Sequence, residues 1–187
     1  MSSVPITHSY WVVREKFLAG EYPRDIDEES SRAKLSALLD AGFSAFIDLT
    51  TGHEGLKPYG YLLATLAGDV SDGRSRTRLN IVHTRFPILD GSVPRSRELT
   101  ESVLDAIDGY LHEGRKIYLH CMGGVGRTGL IVGCWLARHW YSGEEALVRL
   151  QDLWIENPKS KRGGIFGSTP ETIEQAEYVV KWNEEAK

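Results

Sequence analysis

One thiol and one arginine, separated by five residues, are the side chains in this sequence best suited to chemistry. Cys121 and Arg127 enclose the stretch Met122-Gly123-Gly124-Val125-Gly126. Its glycines let successive backbone N–H groups turn towards one point, because glycine reaches positive φ without a steric penalty. N–H groups at the beginning of a helix bind phosphate-like anions and stabilise thiolates. The guanidinium of Arg127 adds a planar, charged fork that suits two phosphate oxygens. This stretch, which we name the cradle, therefore predicts an anion site with a nucleophile at its centre.

The elements that must position the cradle are a strand and a helix. The run Lys116-Ile117-Tyr118-Leu119-His120 predicts a buried strand that leads into Cys121. Residues 129–137 are almost all apolar and predict a helix that leads out. Thr128 stands between the cradle and this helix, where its hydroxyl can donate a hydrogen bond to the sulfur.

The pattern His120-Cys121-x5-Arg127-Thr128 resembles the active-site loop of cysteine-dependent protein tyrosine phosphatases, most closely the dual-specificity branch. This resemblance implies phosphomonoester hydrolysis through a cysteinyl-phosphate intermediate, with no metal or other cofactor. It implies that Cys121 is the nucleophile and that Arg127 binds phosphate and stabilises the transition state. Thr128 would stabilise the leaving thiolate. The substrate-binding positions would be Met122, Gly123, Gly124, Val125 and Gly126.

Two other motifs overlap the cradle. Residues 124–129 match the dinucleotide pattern GxGxxG, but that fold needs further parallel strands, and no convincing strand run follows Tyr141. A nucleotide P-loop requires a lysine where Arg127 stands, as well as a different spacing. The sequence therefore fits the phosphatase pattern better than either nucleotide-binding motif.

An acid that protonates the leaving group must come from elsewhere in the chain. Residues 86–94, Phe-Pro-Ile-Leu-Asp-Gly-Ser-Val-Pro, follow a predicted strand and resemble the general-acid loop of dual-specificity phosphatases. The resemblance implies that Asp90 acts first as general acid and then as general base. The alternative is a turn aspartate that precedes Gly91.

Two predicted supporting residues have alternative interpretations. His120 can tune the thiolate, or it can hydrogen-bond neighbouring backbone and hold the loop, which we favour. Gln175 lies where tyrosine phosphatases place glutamines that orient the hydrolytic water, although Glu171 stands where a glutamine is often found. Gln175 is therefore either a supporting residue or a residue on a helix surface.

Two further residues have a functional and an ordinary interpretation. Tyr59 can stack on a substrate ring, but we favour a half-buried tyrosine. Cys134 can protect an oxidised Cys121 by disulfide formation. Cys134 lies seven residues after Arg127, which corresponds to about 10 Å of helix rise. A disulfide tolerates a Cα separation of only about 7 Å, so we favour a buried core cysteine.

The order of predicted elements indicates an α/β fold. Strands are predicted at residues 10–13, 17–20, 44–49, 80–86 and 116–120, and helices at residues 30–40, 59–67, 129–137, in a segment ending at Glu113, after the capping box at Ser142 and after an N-cap at Thr169. Such alternation implies a central, mostly parallel sheet of about four to five strands with helices on both faces. We expect a single catalytic domain over residues 1–187, with 1–9 and 185–187 loosely held.

Composition limits the partners. The chain has 187 residues, 41% of them hydrophobic, and a net charge of −4, so no overall basic charge favours nucleic acid. No apolar run approaches about 18 residues and no signal peptide is evident, so we expect no membrane insertion. Two cysteines indicate a reducing, cytoplasmic compartment. The expected partner is a phosphorylated protein or a small phosphomonoester, and oligomeric state is not indicated.

Charge near the predicted site leaves the substrate class open. The window from Arg74 to Arg97 contains one acid, Asp90, and six arginines: Arg74, Arg76, Arg78, Arg85, Arg95 and Arg97. They either form scattered surface ion pairs or a basic rim around a phosphate pocket. The cradle has no basic side chain, which favours phosphoprotein, whereas a basic rim favours an inositol phosphate or phosphoinositide. A catalytically silent phosphate-binding module is the alternative from another class, and sulfur transfer or arsenate reduction on a similar loop is a further one.

Overall fold

A computed structural model describes residues 4–69, 80–162 and 167–182. Within these ranges five strands form one sheet in the spatial order β1-β2-β5-β3-β4. The strands are β1 (Ser9–Val13), β2 (Phe17–Gly20), β3 (Phe43–Asp48), β4 (Val82–Arg85) and β5 (Lys116–His120). β1 and β2 are antiparallel, and every other pair is parallel. The predicted mostly parallel sheet is confirmed.

Four of the six described α-helices begin at a residue whose side chain caps the helix. They are α1 (Glu28–Asp40), α2 (Gly60–Asp69), α3 (Arg97–His112), α4 (Gly126–His139), α5 (Gly143–Trp154) and α6 (Ile173–Lys181), with a 3₁₀ helix at Pro158–Arg162. The predicted capping box at Ser142 and Glu145 is present at the beginning of α5. Within the described residues, no helix has the length and apolarity needed to cross a membrane.

The predicted start of the last helix is wrong. Thr172, not Thr169, is the N-cap of α6, and it forms a reciprocal capping box with Gln175. The hydroxyl of Thr169 instead donates to the carbonyl of Val125, at a distance of 2.8 Å. A tertiary contact therefore uses the side chain that the local sequence offered as a cap.

Alternation along the strands divides the core into two halves. Ala45, Ile47, Ile117 and Leu119 face the cluster that contains the buried residues of α3, α4, α5 and α6. Phe46 and Tyr118, one position out of phase, face the cluster with those of α1 and α2. Successive side chains of a strand point to opposite faces, so both faces of the sheet are covered.

The helix that follows the cradle is enclosed by its neighbours. All residues of α4 from Gly126 to Ala137 are buried, which explains the almost continuous apolar run. Cys134 in this helix is fully buried, and burial raises the pKa of its thiol. The prediction of a core cysteine is confirmed.

Packing at the start of α5 generates a stability prediction. A Cβ on Gly143 would overlap the backbone of Val180 in α6. Because that neighbour is backbone, Gly143→Ala should lower the free energy of unfolding by about 1–3 kcal/mol. Gly109 in α3 has nothing within 4 Å of the same position. Gly109→Ala should therefore raise stability by roughly 0.5–1 kcal/mol through helix propensity. Urea unfolding of both variants tests this, and equal effects would contradict the proposed packing.

Candidate active site

The cradle lies at the carboxyl end of β5. Cys121 directly follows this strand, and α4 begins at Gly126. β5 pairs with β2 on one side and β3 on the other, so the segments that follow these strands flank the cradle. Cys121 and Arg127 are 3% and 1% exposed. The predicted thiol and guanidinium are thus both buried at the carboxyl end of the central strand.

Hydrogen bonds from outside the cradle orient its backbone. In a trans peptide unit the C=O and N–H groups point in opposite directions, so a carbonyl held outwards turns the next N–H inwards. The carbonyl of Cys121 and three carbonyls of the cradle are held in this way. The pairs are His120 Nδ1 with Cys121 O at 3.2 Å, Tyr22 N with Met122 O at 3.0 Å, Lys159 Nζ with Gly123 O at 2.8 Å and Thr169 Oγ1 with Val125 O at 2.8 Å. We therefore expect the N–H groups that follow these carbonyls to face the interior of the cradle, as that of Gly124 does.

Gly124 is the tightest point of the cradle. Its φ is +77°, and a Cβ there would lie 2.5 Å from the carbonyl carbon of Gly20 at the end of β2. Only glycine satisfies both the conformation and the space. The N–H of Gly124 donates to the sulfur of Cys121 at 3.2 Å. Close packing against β2 thus places one N–H directly on the predicted nucleophile.

Arg127 is fixed by carboxylates. Glu54, in the loop after β3, binds it with two hydrogen bonds of 2.6 and 2.9 Å, and the carbonyl of Ile88 accepts a third at 3.1 Å. Burial opposes the charge of the guanidinium, but the hydrogen bonds with Glu54 outweigh it and raise the pKa of Arg127. The side chain is therefore a permanently charged group with a fixed orientation.

The predicted acid lies at the same edge of the sheet. Asp90 follows β4, and its carboxylate is 2.7 Å from Arg127 Nη2 with 53% of its side chain exposed. β4 is parallel to β3, so the loops after both strands meet at Arg127. The structure therefore brings Asp90 to the cradle, as the sequence predicted, although its role as an acid stays a prediction.

Two polar atoms beside the cradle have no hydrogen-bond partner among the described residues. They are Nε of Arg127 and Oγ1 of Thr128, and both are buried. Buried donors without partners are rare in proteins and require an explanation. An oxyanion bound in the cradle would accept from Arg127, and the sulfur of Cys121 is the acceptor predicted for Thr128.

His120 connects the beginning of the cradle to Tyr59 through hydrogen bonds of its two ring nitrogens. Its Nδ1 faces the carbonyl of Cys121 at 3.2 Å and its Nε2 faces the hydroxyl of Tyr59 at 2.7 Å. A carbonyl only accepts, so Nδ1 carries the proton and Nε2 accepts from Tyr59. Burial lowers the pKa of His120 to about 4, although Asp48 opposes the shift. These contacts support the structural interpretation that the sequence favoured.

The prediction for Tyr59 is wrong in both of its forms. Tyr59 is 0% exposed, so it is neither half-buried nor available to stack on a substrate ring. Its ring packs among aromatic neighbours, including Tyr22 and Phe46. Its hydroxyl is committed to His120, which makes Tyr59 part of the support beneath the cradle.

Gln175 connects three parts of the site. It is 0% exposed, and its Nε2 donates to the carbonyl of Ser92 in the loop that carries Asp90, at 3.0 Å. A Cβ on Gly126 would lie 2.9 Å from Gln175 Oε1 and 3.0 Å from Glu171 Oε2. Gln175 is therefore not a helix-surface residue, and it links α6 to both the cradle and the loop of Asp90.

Two of the three described arginines of the arginine-rich window are held in ion pairs. Arg85 binds Asp48 at 2.7 and 2.9 Å. Arg97 pairs with Glu101 and lies 4.3 Å from the ring centroid of Trp182. These contacts agree with the interpretation of separate ion pairs. The arginines at positions 74, 76 and 78 lie outside the described residues.

Two residues of the site were not found from the sequence. Glu54 follows β3, and the parallel topology places the loop after that strand beside the cradle. This was a usable signal, because carboxyl ends of parallel strands meet at one edge. Lys159 had no such signal, since it reaches Gly123 from a short 3₁₀ helix beyond α5. The described residues contain no group of three or more His, Cys, Asp or Glu side chains that could hold a metal ion.

Comparison with known proteins agrees with this geometry. The family model Tc-R-P, described as polymorphic toxin system, DSP-PTPase phosphatase, matches residues 27–141. Putative tyrosine phosphatase 067L of Invertebrate iridescent virus 3 is 50% identical over 56 residues, which cover 28% of this chain and 23% of that protein. The phosphatidylinositol 3,4,5-trisphosphate 3-phosphatase and protein-tyrosine-phosphatase PTEN1 of Arabidopsis thaliana is 31% identical over 102 residues, which cover 54% of this chain and 22% of that protein.

A solved structure shows the same fold. The crystal structure of Tk-PTP in the active form has a TM-score of 0.67 and 22% identity, with 94% of this chain and 96% of that chain covered. Fold and cradle together define the class of cysteine-dependent phosphatases. Because the family model covers more than half of the sequence, the chain belongs to the DSP-PTPase family within that class. The chain spans less than a quarter of the length of the two curated relatives.

The buried, neutral His120 predicts a pH effect on stability. An unfolded histidine titrates near pH 6.5, whereas burial lowers the pKa of His120 to about 4 in the folded protein. The unfolded state therefore binds more protons between these values. The stability associated with neutral His120 is complete above pH about 6.5 and is lost as the pH falls towards about 4. The loss should reach up to about 3 kcal/mol.

This loss is measured by urea unfolding of the wild type at several values between pH 7 and pH 4.5. His120→Gln should be less stable at pH 7 but should show a weaker pH dependence. His112→Gln, at the exposed end of α3, is the matched control and should keep the wild-type slope. A His120→Gln slope equal to that of the wild type would refute the assignment.

Proposed function

We propose that this protein hydrolyses phosphomonoesters of phosphorylated proteins through a cysteinyl-phosphate intermediate. The observation that carries the proposal is the convergence of Cys121, Arg127 and Asp90 on a loop with inward N–H groups. Asp90 lies 2.7 Å from Arg127, and the sulfur of Cys121 accepts from the cradle. Membership of the phosphatase family supports the same conclusion.

The proposed reaction has two steps. The thiolate of Cys121 attacks phosphorus while Arg127 and the cradle N–H groups bind the non-bridging oxygens. Asp90 gives its proton to the departing oxygen, and the P–O bond breaks as the P–S bond forms. Asp90 then removes a proton from water, which attacks phosphorus and releases the thiolate. Thr128 donates a hydrogen bond to that sulfur.

The contact between Asp90 and Arg127 has a consequence for this sequence of events. The carboxylate of Asp90 and the guanidinium of Arg127 carry opposite charges, and the oxygen of one lies 2.7 Å from Nη2 of the other. A phosphate dianion that binds Arg127 competes with the carboxylate for the same guanidinium. Substrate binding therefore favours release of Asp90 towards the leaving group.

Charge around the cradle supports a phosphoprotein over an inositol lipid. Glu54 and Asp90 bind the guanidinium of Arg127, and a carboxylate oxygen of Glu171 approaches Gly126. These acids would repel a substrate with several phosphates. They would attract basic residues beside a single phosphorylated side chain. The Arabidopsis relative is named for both substrate classes, and the acidic charges around the cradle support a protein substrate for this chain.

The alternative of a catalytically silent phosphate-binding module is less well supported. Binding alone needs the cradle and Arg127, but it needs neither a thiol nor an acid. This chain carries both Cys121 and Asp90, and Gln175 secures the loop of Asp90 through Ser92.

As part of the proposal we place the protein in the cytoplasm, because both Cys121 and Cys134 are free thiols and the nucleophile must stay reduced.

The proposed roles predict two different losses of activity. Cys121→Ser should abolish turnover of aryl phosphates, since a serine alcohol is a much weaker nucleophile than a thiolate. Asp90→Ala should lower kcat for phenyl phosphate by about 10²–10⁴-fold and for p-nitrophenyl phosphate by less, because nitrophenolate leaves without help from an acid. Asp105→Ala removes a 71%-exposed aspartate side chain of α3 and should leave both rates unchanged. Retained turnover in Cys121→Ser would exclude this mechanism.

The substrate class is tested by a matched panel. It contains phosphotyrosine and phosphoserine peptides with either basic or acidic neighbours, phosphoinositide vesicles and inositol polyphosphates. We expect a several-fold lower KM for the basic peptides than for the acidic ones, and the lowest kcat/KM for inositol polyphosphates. Cys121→Ser controls for contaminating activity. A higher kcat/KM for phosphoinositides than for every peptide would overturn the protein-substrate proposal.

A further inference from the structure

Lys159 is a buried cation outside the sequence motif that joins the cradle to the rest of the protein. It lies in the 3₁₀ helix Pro158–Arg162 and is 7% exposed. Its ammonium donates to the carbonyl of Gly123 at 2.8 Å and pairs with Glu21 at 2.8 Å. Buried lysines require such partners. The position of the ammonium is therefore fixed between the cradle and the segment after β2.

The contact reaches the sulfur through one peptide unit. The carbonyl of Gly123 and the N–H of Gly124 belong to the same planar group and point in opposite directions. Lys159 holds the carbonyl outwards, and the N–H points to the sulfur of Cys121 at 3.2 Å. A rotation of this peptide unit would break both hydrogen bonds together.

This peptide unit has little intrinsic preference for its orientation. It joins Gly123 and Gly124, and two glycines allow more backbone conformations than any other pair. The neighbouring carbonyls of Met122 and Val125 accept from neutral donors, a backbone N–H and a hydroxyl. Of these three carbonyls, that of Gly123 is the one whose described donor is charged, and hydrogen bonds from charged groups are stronger.

Glu21 keeps this donor in place. It accepts from Lys159 at 2.8 Å through one oxygen and from Lys34 at 2.8 Å through the other. Burial alone would raise the pKa of Glu21, but the hydrogen bonds with Lys159 and Lys34 lower it to about 2. Glu21 therefore remains a carboxylate at neutral pH.

We propose that Lys159 is a positioning residue for the nucleophile, which fixes the Gly123–Gly124 peptide so that its N–H stabilises the thiolate of Cys121. This proposal rests on the proposed function, in which that thiolate attacks phosphorus. Lys159 does not contact the substrate. It acts through the backbone and sets the pH range in which the thiolate is available.

The test measures the pH dependence of Cys121 alkylation by iodoacetamide, which needs no substrate. Lys159→Met should move the midpoint upwards by about one pH unit, because the N–H no longer has a fixed direction. Lys159→Arg keeps a charged donor and should restore the midpoint to within a few tenths of a unit. Lys34→Met removes a cation from the same Glu21 cluster without a contact to the cradle, so its midpoint should equal that of the wild type.

Labelling is followed at Cys121 by peptide mass analysis, and Cys121→Ser controls for the buried Cys134. A wild-type midpoint in folded Lys159→Met, or an equal shift in Lys34→Met, would overturn the proposal. If Lys159→Met does not fold, Lys159→Gln replaces it. Its amide is neutral and shorter, so it should shift the midpoint in the same direction, and an unchanged midpoint in that variant overturns the proposal equally.

Aryl-phosphate turnover of the same variants separates the two proposals. A shifted midpoint without turnover in the wild type would support the role of Lys159 and reject the proposed function. Turnover in the wild type with an unchanged midpoint in Lys159→Met would do the reverse. When both hold, the acidic limb of the kcat/KM profile should move with the midpoint, and KM at high pH should stay near the wild-type value.

Discussion

Backbone N–H groups can converge on an anion only when the carbonyls of the same peptide units are satisfied elsewhere. In this protein those carbonyls are held by a histidine ring, a backbone N–H, a lysine and a threonine, which come from four different parts of the chain. The cradle is therefore not a property of its glycines alone. Glycine permits the conformation, and the surrounding fold selects it.

Several charged side chains also lie close together at the carboxyl ends of the parallel strands. Arg127 is buried, and a buried cation without a partner is strongly unfavourable. Glu54 supplies that partner with two hydrogen bonds and so makes the guanidinium compatible with folding before any phosphate binds. The Nε of Arg127 has no hydrogen-bond partner among the described residues. The hydrogen bonds with Glu54 thus serve the fold, whereas Nε is available to a ligand that competes with Asp90 for Nη2.

The parts of this structure that could be predicted are those determined by local sequence. The strand Lys116–His120 and the capping box at Ser142 follow from hydrophobic pattern and cap chemistry. Thr169 shows the limit, because its local sequence is suitable for a cap while its hydroxyl is used by Val125. Glu54 contacts Arg127 from 73 residues away in sequence, and only the parallel order of the strands indicates that contact. Lys159 contacts Gly123 from 36 residues away, and no pattern in the sequence encodes this contact. The motif itself was predictable because the chemistry of phosphate requires it.

The close approach of Gly124 to Gly20 limits where this protein can display side chains to a substrate. Position 124 admits no Cβ, and Val125 is 3% exposed, whereas Met122 is 45% exposed. Among the residues between the thiol and the arginine, a single side chain thus protrudes. A Cβ at Gly123 would meet only Val125, at 3.8 Å, so divergent relatives could change their targets through positions 122 and 123 and through the flanking loops. An engineer who wishes to redirect the enzyme should randomise Met122 and those loops and leave Gly124, Val125 and Gly126 unaltered.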